Sequence, residues 1–146
     1  MNTLNKSDSI KNIAQAIAHF HTLVGTIKKT STNPFFKSKY ADLSDILTGI
    51  AQPLEDSGLS FSQFPVGEFE LSTILMHPES GEWLEGTYKM TPTKNDPQGA
   101  GSVITYQRRY ALGAILGLNI DIDDDGNAGS HKEETEEAFT NRFNRG

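Results

Sequence analysis

Residues 99–112 read Gly-Ala-Gly-Ser-Val-Ile-Thr-Tyr-Gln-Arg-Arg-Tyr-Ala-Leu. Two glycines precede a run that carries hydroxyls, aromatics and two adjacent cations. Glycine lets backbone approach a ligand closely. A helix start offers unpaired N–H groups and a positive dipole end to an anion. The pattern predicts a phosphate cradle, a turn at Gly99 and Gly101 opening a helix from about Gly101 to Leu116. At helical spacing Ser102, Thr105, Tyr106, Arg109 and Gly113 share a polar face, and Ile104, Ala111, Ile115 and Leu118 share the opposite, core-directed one. Arg109 is therefore the expected phosphate ligand. Arg108, on the flank, is expected to pack its stem and reach a carboxylate or a neighbouring subunit. Lys94 and Gln98 stand just before the helix, where phosphates would bind. An ordinary amphipathic helix explains the arginines but not the hydroxyls gathered around Arg109. The chain has no G-x-x-x-x-G-K-[ST], so this is not a nucleoside-triphosphate P-loop.

A second segment, Asn33-Pro34-Phe35-Phe36-Lys37-Ser38-Lys39-Tyr40, interleaves three aromatics with two cations. In a loop, that mixture suits stacking on bases while gripping phosphates. Bases expose their faces only when a strand is single or being paired. One of Phe35 and Phe36 is expected to anchor the loop in the core, leaving Phe36 or Tyr40 accessible.

The net charge of −6 opposes nucleic-acid binding, but its distribution does not. Residues 1–120 hold 10 Lys+Arg against 11 Asp+Glu, and residues 121–146 hold 3 against 8. No acid lies between Asp8 and Asp42, or between Asp96 and Asp121. Two acid-free basic stretches could converge on one positive surface, and the local field steers a ligand more than net charge does. With no cysteine, thiolate metal sites and cysteine nucleophiles are excluded, and a reducing compartment fits. No signal-peptide h-region and no membrane-spanning run is evident, so a cytoplasmic protein without membrane contact is expected.

These residues need a scaffold. Ser7 or Asp8 can cap a first helix, whose Ile10, Ile13, Ile17, Phe20, Val24 and Ile27 recur at spacings of 3 and 4. Asp42 caps a second, with Leu43, Ile46, Leu47, Ile50 and Leu54 on one face and Gly58 as C-cap. Leu59–Val66, Phe69–His77 and Glu82–Thr91 read as strands, the first two joined by a hairpin at Gly67-Glu68. Trp83 reads as core. The expected class is α+β: an antiparallel three-stranded β-meander followed by a basic helix (β-β-β-α), with two N-terminal helices packed on the sheet. Residues 1–127 form the expected functional domain, and 128–146 a short, flexible acidic tail.

Asp121-Ile-Asp123-Asp-Asp125-Gly126 imitates the start of an EF-hand, but its twelfth position is Lys132 where a Glu is required. No metal and no cofactor is expected. Of the enzyme readings, only a metal-dependent nuclease using the Asp121–Asp125 cluster stays open.

The blocks Asn33-Pro-Phe-Phe-Lys-Ser-Lys-Tyr-Ala-Asp-Leu, Gly81-Glu-Trp, Pro97-Gln-Gly-Ala-Gly-Ser, Thr105-Tyr-Gln-Arg-Arg-Tyr-Ala-Leu and Leu116-Gly-Leu…Asp123-Asp-Asp-Gly-Asn127 occur in that order. Together they resemble the essential recombination function (Erf) family of phage and prophage single-strand annealing proteins, over roughly residues 8–127. The resemblance implies an ATP-independent, non-enzymatic protein that binds single-stranded DNA and anneals complementary strands in homologous recombination. It also implies a homo-oligomer, ring or filament. A single-strand-binding protein or exonuclease is a further partner on the family pattern, though only about 19 residues follow Asn127 to carry such a contact. The expected DNA-binding set is Phe36, Lys37, Lys39, Tyr40, Lys94, Gln98, Gly99, Gly101, Ser102, Thr105, Tyr106, Arg108 and Arg109. The alternative is a passive single-strand-binding module.

Overall fold

The computed structural model describes residues 4–92 and 97–121. Alternating apolar residues and tight turns build an antiparallel meander of β4 (Ser60–Gly67), β5 (Glu70–His77) and β6 (Glu82–Lys89). The β4–β5 turn is Glu68-Phe69 rather than Gly67-Glu68, and Phe69 takes the left-handed conformation at φ 57°. Pro65, which has no N–H to donate, sits on the edge strand beside a register shift.

The expected fold class needs correction. The main sheet has four strands, not three, because β1 (Leu4–Lys6) pairs antiparallel with β6 to give the order β1-β6-β5-β4. A separate two-stranded ladder joins β2 (Ser31–Thr32) to β3 (Lys39–Tyr40). Strands of two and three residues are too short to show an alternating pattern; their hydrogen-bonded partners define them. Nor do both N-terminal helices pack chiefly on the sheet. Helices α1 (Lys11–Leu23) and α3 (Pro97–Leu116) lie on β5 and β6, while α2 (Leu43–Ser57) packs on α1 and α3. The core between them gathers Ile13, Phe20, Ile46, Ile50, Leu75, Leu112 and Leu116.

Helix α1 does not use the expected Ser7 or Asp8 cap. Its N-cap residue Ile10 has no capping side chain. The buried Glu82 carboxylate reaches over from β6 instead, accepting from the backbone N–H groups of Asn12 and Ile13 and from Asn12 Nδ2, each at 2.8 Å. The helix also stops at Leu23 rather than at Ile27, because Val24-Gly25-Thr26 is a run of weak helix formers. Ile27 is still buried, held beyond the helix end against Gly49, where an added Cβ would meet its Cδ1 at 2.8 Å. Helix α2 begins as expected with Asp42, in a capping box with Asp45, and ends at a left-handed Gly58.

Helix α3 starts at Pro97, a residue suited to a first helical position. Gly99 and Gly101 are therefore helical, not a turn before the helix. Its inward face is also not the expected one. Leu112, Gly113 and Leu116 are buried together with Arg109, while Ile104 is exposed. Ala111, Ala114 and Ile115 border an apolar groove of about 470 Å³ with Gly86, Thr87 and Tyr88. Apolar residues occur on both sides of this helix. Gly113 decides between them, since the Ile120 side chain lies where a Cβ at 113 would stand, 2.8 Å away. Trp83, expected in the core, is half-buried on the sheet face turned away from the helices.

Two depressed carboxylates tie this fold to pH. Burial works against the charge of Glu82, but hydrogen bonds from Ile13 and Asn12 outweigh it and hold the pKa below its ordinary 4.5. Thr30 does the same for Asp45, ordinarily 3.8. A folded pKa below the unfolded one gives stability that is complete well above pH 4.5 and is lost as pH falls through the folded value. Urea midpoints measured from pH 6 down to about pH 3 should therefore fall more steeply for the wild type than for Glu82→Gln, which starts lower at neutral pH.

Candidate functional site

The two segments that stand out in the sequence meet. A cleft of about 780 Å³ opens between the β2–β3 hairpin and the N-terminal half of α3. Asn33, Pro34, Phe36, Ser38, Lys39 and Tyr40 form one wall, and Gly101, Ser102, Thr105 and Tyr106 the other. Arg109, Tyr110, Asp121, Asp42 and Leu43 complete the lining. Four charges among these residues balance, Lys39 and Arg109 against Asp42 and Asp121, so the described lining is not the basic surface expected from the acid-free stretches.

Arg109 is the largest departure from expectation. It is only 7% exposed. Its Nε donates to the Ala41 carbonyl, and its Nη2 donates to the Ile120 carbonyl at 3.2 Å and to the Asp121 carboxylate in a short ion pair. The guanidinium carbon lies 4.7 Å from the Tyr40 ring centre and 5.0 Å from that of Tyr110. Burial opposes its charge, but Asp121 outweighs that and raises the arginine pKa further. Tyr110 donates to the other Asp121 oxygen at 3.0 Å, and its hydroxyl pKa is also raised, first by burial. Three of the five N–H donors of the expected phosphate ligand thus go to the protein, and its guanidinium forms the floor of the cleft. Arg108 lies outside the lining, half-exposed, with Nε donating to Gln63 Oε1 at 3.3 Å across to β4.

The hairpin tip presents its rings outward. Neither Phe35 nor Phe36 anchors in the core: Phe35 is 86% exposed and Phe36, on the cleft wall, 54%. Tyr40 is half-buried beneath Arg109. The tip is pinned by Asn33, whose Oδ1 accepts from the N–H groups of Phe35 (2.8 Å) and Phe36 (3.2 Å). Lys37, exposed and left-handed at φ 54°, donates its N–H to the Asn33 carbonyl. Lys39, also exposed, donates from Nζ to Thr32 Oγ1 at 3.0 Å. Across the cleft, Tyr106 is exposed and packs on Tyr110, with ring centres 4.4 Å apart. Thr105 Oγ1 bonds back to the Gly101 carbonyl. Ser102 is exposed, and an added Cβ at Gly101 would meet nothing within 4 Å, so backbone is accessible there. Gln98 and Gly99 lie in the first turn of α3. Lys94 and Asp123–Asp125 lie outside the described residues.

Sequence reasoning missed Gln107, Asn33 as a pin, and the Asp42 carboxylate in the cleft lining. Gln107 is buried, and its Nε2 donates to the carbonyls of Phe69 (2.6 Å) and Tyr88 (2.9 Å), locking α3 to the β4–β5 turn and to β6. The one available signal was a neutral amide four residues beyond Val103 on the same helical face.

A family model described as the ERF superfamily matches residues 13–144. The chain belongs to the ERF superfamily. No curated protein and no solved structure matched the chain. Membership associates it with phage recombination through single-strand annealing, and so with DNA. The hairpin, the cleft and all of α3 fall inside the matched ERF region. No helix among the described residues is long and apolar enough to cross a membrane.

Arg109 should behave as a stabilising joint. Replacing it with Lys or Ala leaves carbonyls and a carboxylate without their planar donor, and should cost about 3 kcal/mol in urea unfolding. Lysine should not restore the loss, because it lacks the fork.

Proposed function

We propose that this protein binds single-stranded DNA in the cleft and anneals it to a complementary strand without ATP. The observation that carries this reading is the convergence of the aromatic-basic hairpin and the hydroxyl-rich helix face on one groove within the ERF region. Phe36 and Tyr106 offer rings to splayed bases from opposite walls. Lys39, with Lys37 at the tip, neutralises phosphates, and Ser102, Thr105 and the open backbone at Gly101 supply short polar contacts. Arg108 meets backbone at the flank. Lys94, Gln98 and Gly99 keep their assignment to the helix start. Arg109 and Tyr40 are positioning residues that hold the two walls at a fixed separation.

Annealing needs no nucleotide hydrolysis, since each base-pair step formed releases about 1.4 kcal/mol. The task is to hold a strand extended without hiding its pairing edges. The balanced charge of the lining supports annealing over passive storage: a moderate grip lets paired strands leave. Copies of the chain, arranged as a ring or filament, would repeat the register over many nucleotides. A contact with a single-strand-binding protein or exonuclease belongs to the same recombination setting.

The decisive measurement is a fluorescence annealing assay with complementary oligonucleotides and no ATP, with oligomer mass read alongside. Acceleration over the spontaneous rate is expected. Binding without acceleration would leave a passive module, and strand degradation in magnesium would leave a nuclease. Phe36→Ala should weaken single-strand binding about ten-fold, the worth of one stacked base. Affinity should fall with salt by a log–log slope of about −0.7 for each phosphate neutralised.

A further inference from the structure

Phe35 has no place in the site as described. At 86% exposure it is the barest large apolar side chain among the described residues, and it stands outside the cleft that its neighbour Phe36 lines. An unanchored loop would bury such a ring or let it move. This tip leaves the ring exposed on a held backbone: the Asn33 side chain accepts from the N–H of both phenylalanines, and the Asn33 backbone bonds Ser38 and Lys37 on the far side of the turn. The turn therefore holds the backbone that carries two consecutive rings, one on the cleft wall and one outside the cleft. Exposed Lys37 follows them directly, and exposed Lys39 lies two residues on.

We propose that Phe35 is the stacking platform for the second, incoming DNA strand, so that the hairpin tip divides the two strands, with Phe36 against the bound one and Phe35 against its complement. This rests on the reading of the cleft given above. A ring flanked by cations is the chemistry of a base with its phosphate. The apolar part of the patch is Phe35 with exposed Pro34, beside exposed Lys37 and Lys39, a makeup closer to a nucleotide site than to the charge-depleted centre of a protein contact. Stacking is tolerant of sequence, as it must be for a surface that meets any complement. A base held on Phe35 is presented next to one held on Phe36, so pairing begins from two ordered bases instead of two free coils.

The test is Phe35→Ala in the full chain, with three readouts: affinity for the first oligonucleotide, annealing rate with its complement, and oligomer mass. The expected result is first-strand affinity within two-fold of wild type, unchanged mass, and annealing slowed about ten-fold. Because Trp83 is the only tryptophan, Phe35→Trp in a Trp83→Phe background gives a single reporter. Its emission should stay constant on binding the first strand and be quenched when the complement is added. Annealing at the wild-type rate would overturn the proposal, and so would an equal loss of first-strand affinity or a fall in oligomer mass. A wild-type protein that binds DNA without annealing it would overturn the reading of the cleft as well, a result distinguishable from any Phe35-specific one.

Discussion

Arg109 lies where helix α3, the β3–α2 junction and the segment after α3 come together, and the cleft exists because that junction holds. Its planar donors take the carbonyls of Ala41 and Ile120 and the Asp121 carboxylate at once, while Tyr40 and Tyr110 cover the guanidinium. The Ala41 N–H donates to the same Ile120 carbonyl, so backbone and side chain reinforce one connection. Asp121 remains partly exposed, which keeps the desolvation cost of the pair below that of a fully buried one. A residue whose sequence position advertises ligand binding is here the means by which the two walls of the cleft are brought opposite each other.

What the sequence made legible was local. The Asp42 cap, the Gly58 stop and the cores of the three long strands depend on neighbours within a few residues, and they stand where the pattern puts them. The misses depend on partners far along the chain. β1 is a strand only because β6 lies beside it, about eighty residues later, and Glu82 caps α1 from a similar separation. The orientation of α3 was illegible for another reason. Ile104, Ala111 and Ile115 make as good an apolar stripe as Val103, Leu112 and Leu116, and only tertiary packing chooses. Once the helix is turned that way Arg109 must go inward, and its need for acceptors explains Asp121.

The site was half legible. Segregation of charge and the aromatic-basic loop pointed to two surfaces, and the ERF match covers both. That they face one another within a single chain, and that carboxylates share the lining, follows from the Arg109 junction. The result is a groove with rings on its walls and little net charge among its described lining residues, a combination suited to holding a polymer lightly by its flat groups.

Gly113 gives this arrangement an unexpected gauge. No ligand in the cleft would touch it, yet its missing side chain sets how closely Ile120 rides on α3. Ile120 and Asp121 are in turn what Arg109 holds, and Arg109 also holds Ala41, next to the wall residue Tyr40. The spacing between the two walls is therefore calibrated from behind, by one absent methyl group on the hidden side of the helix.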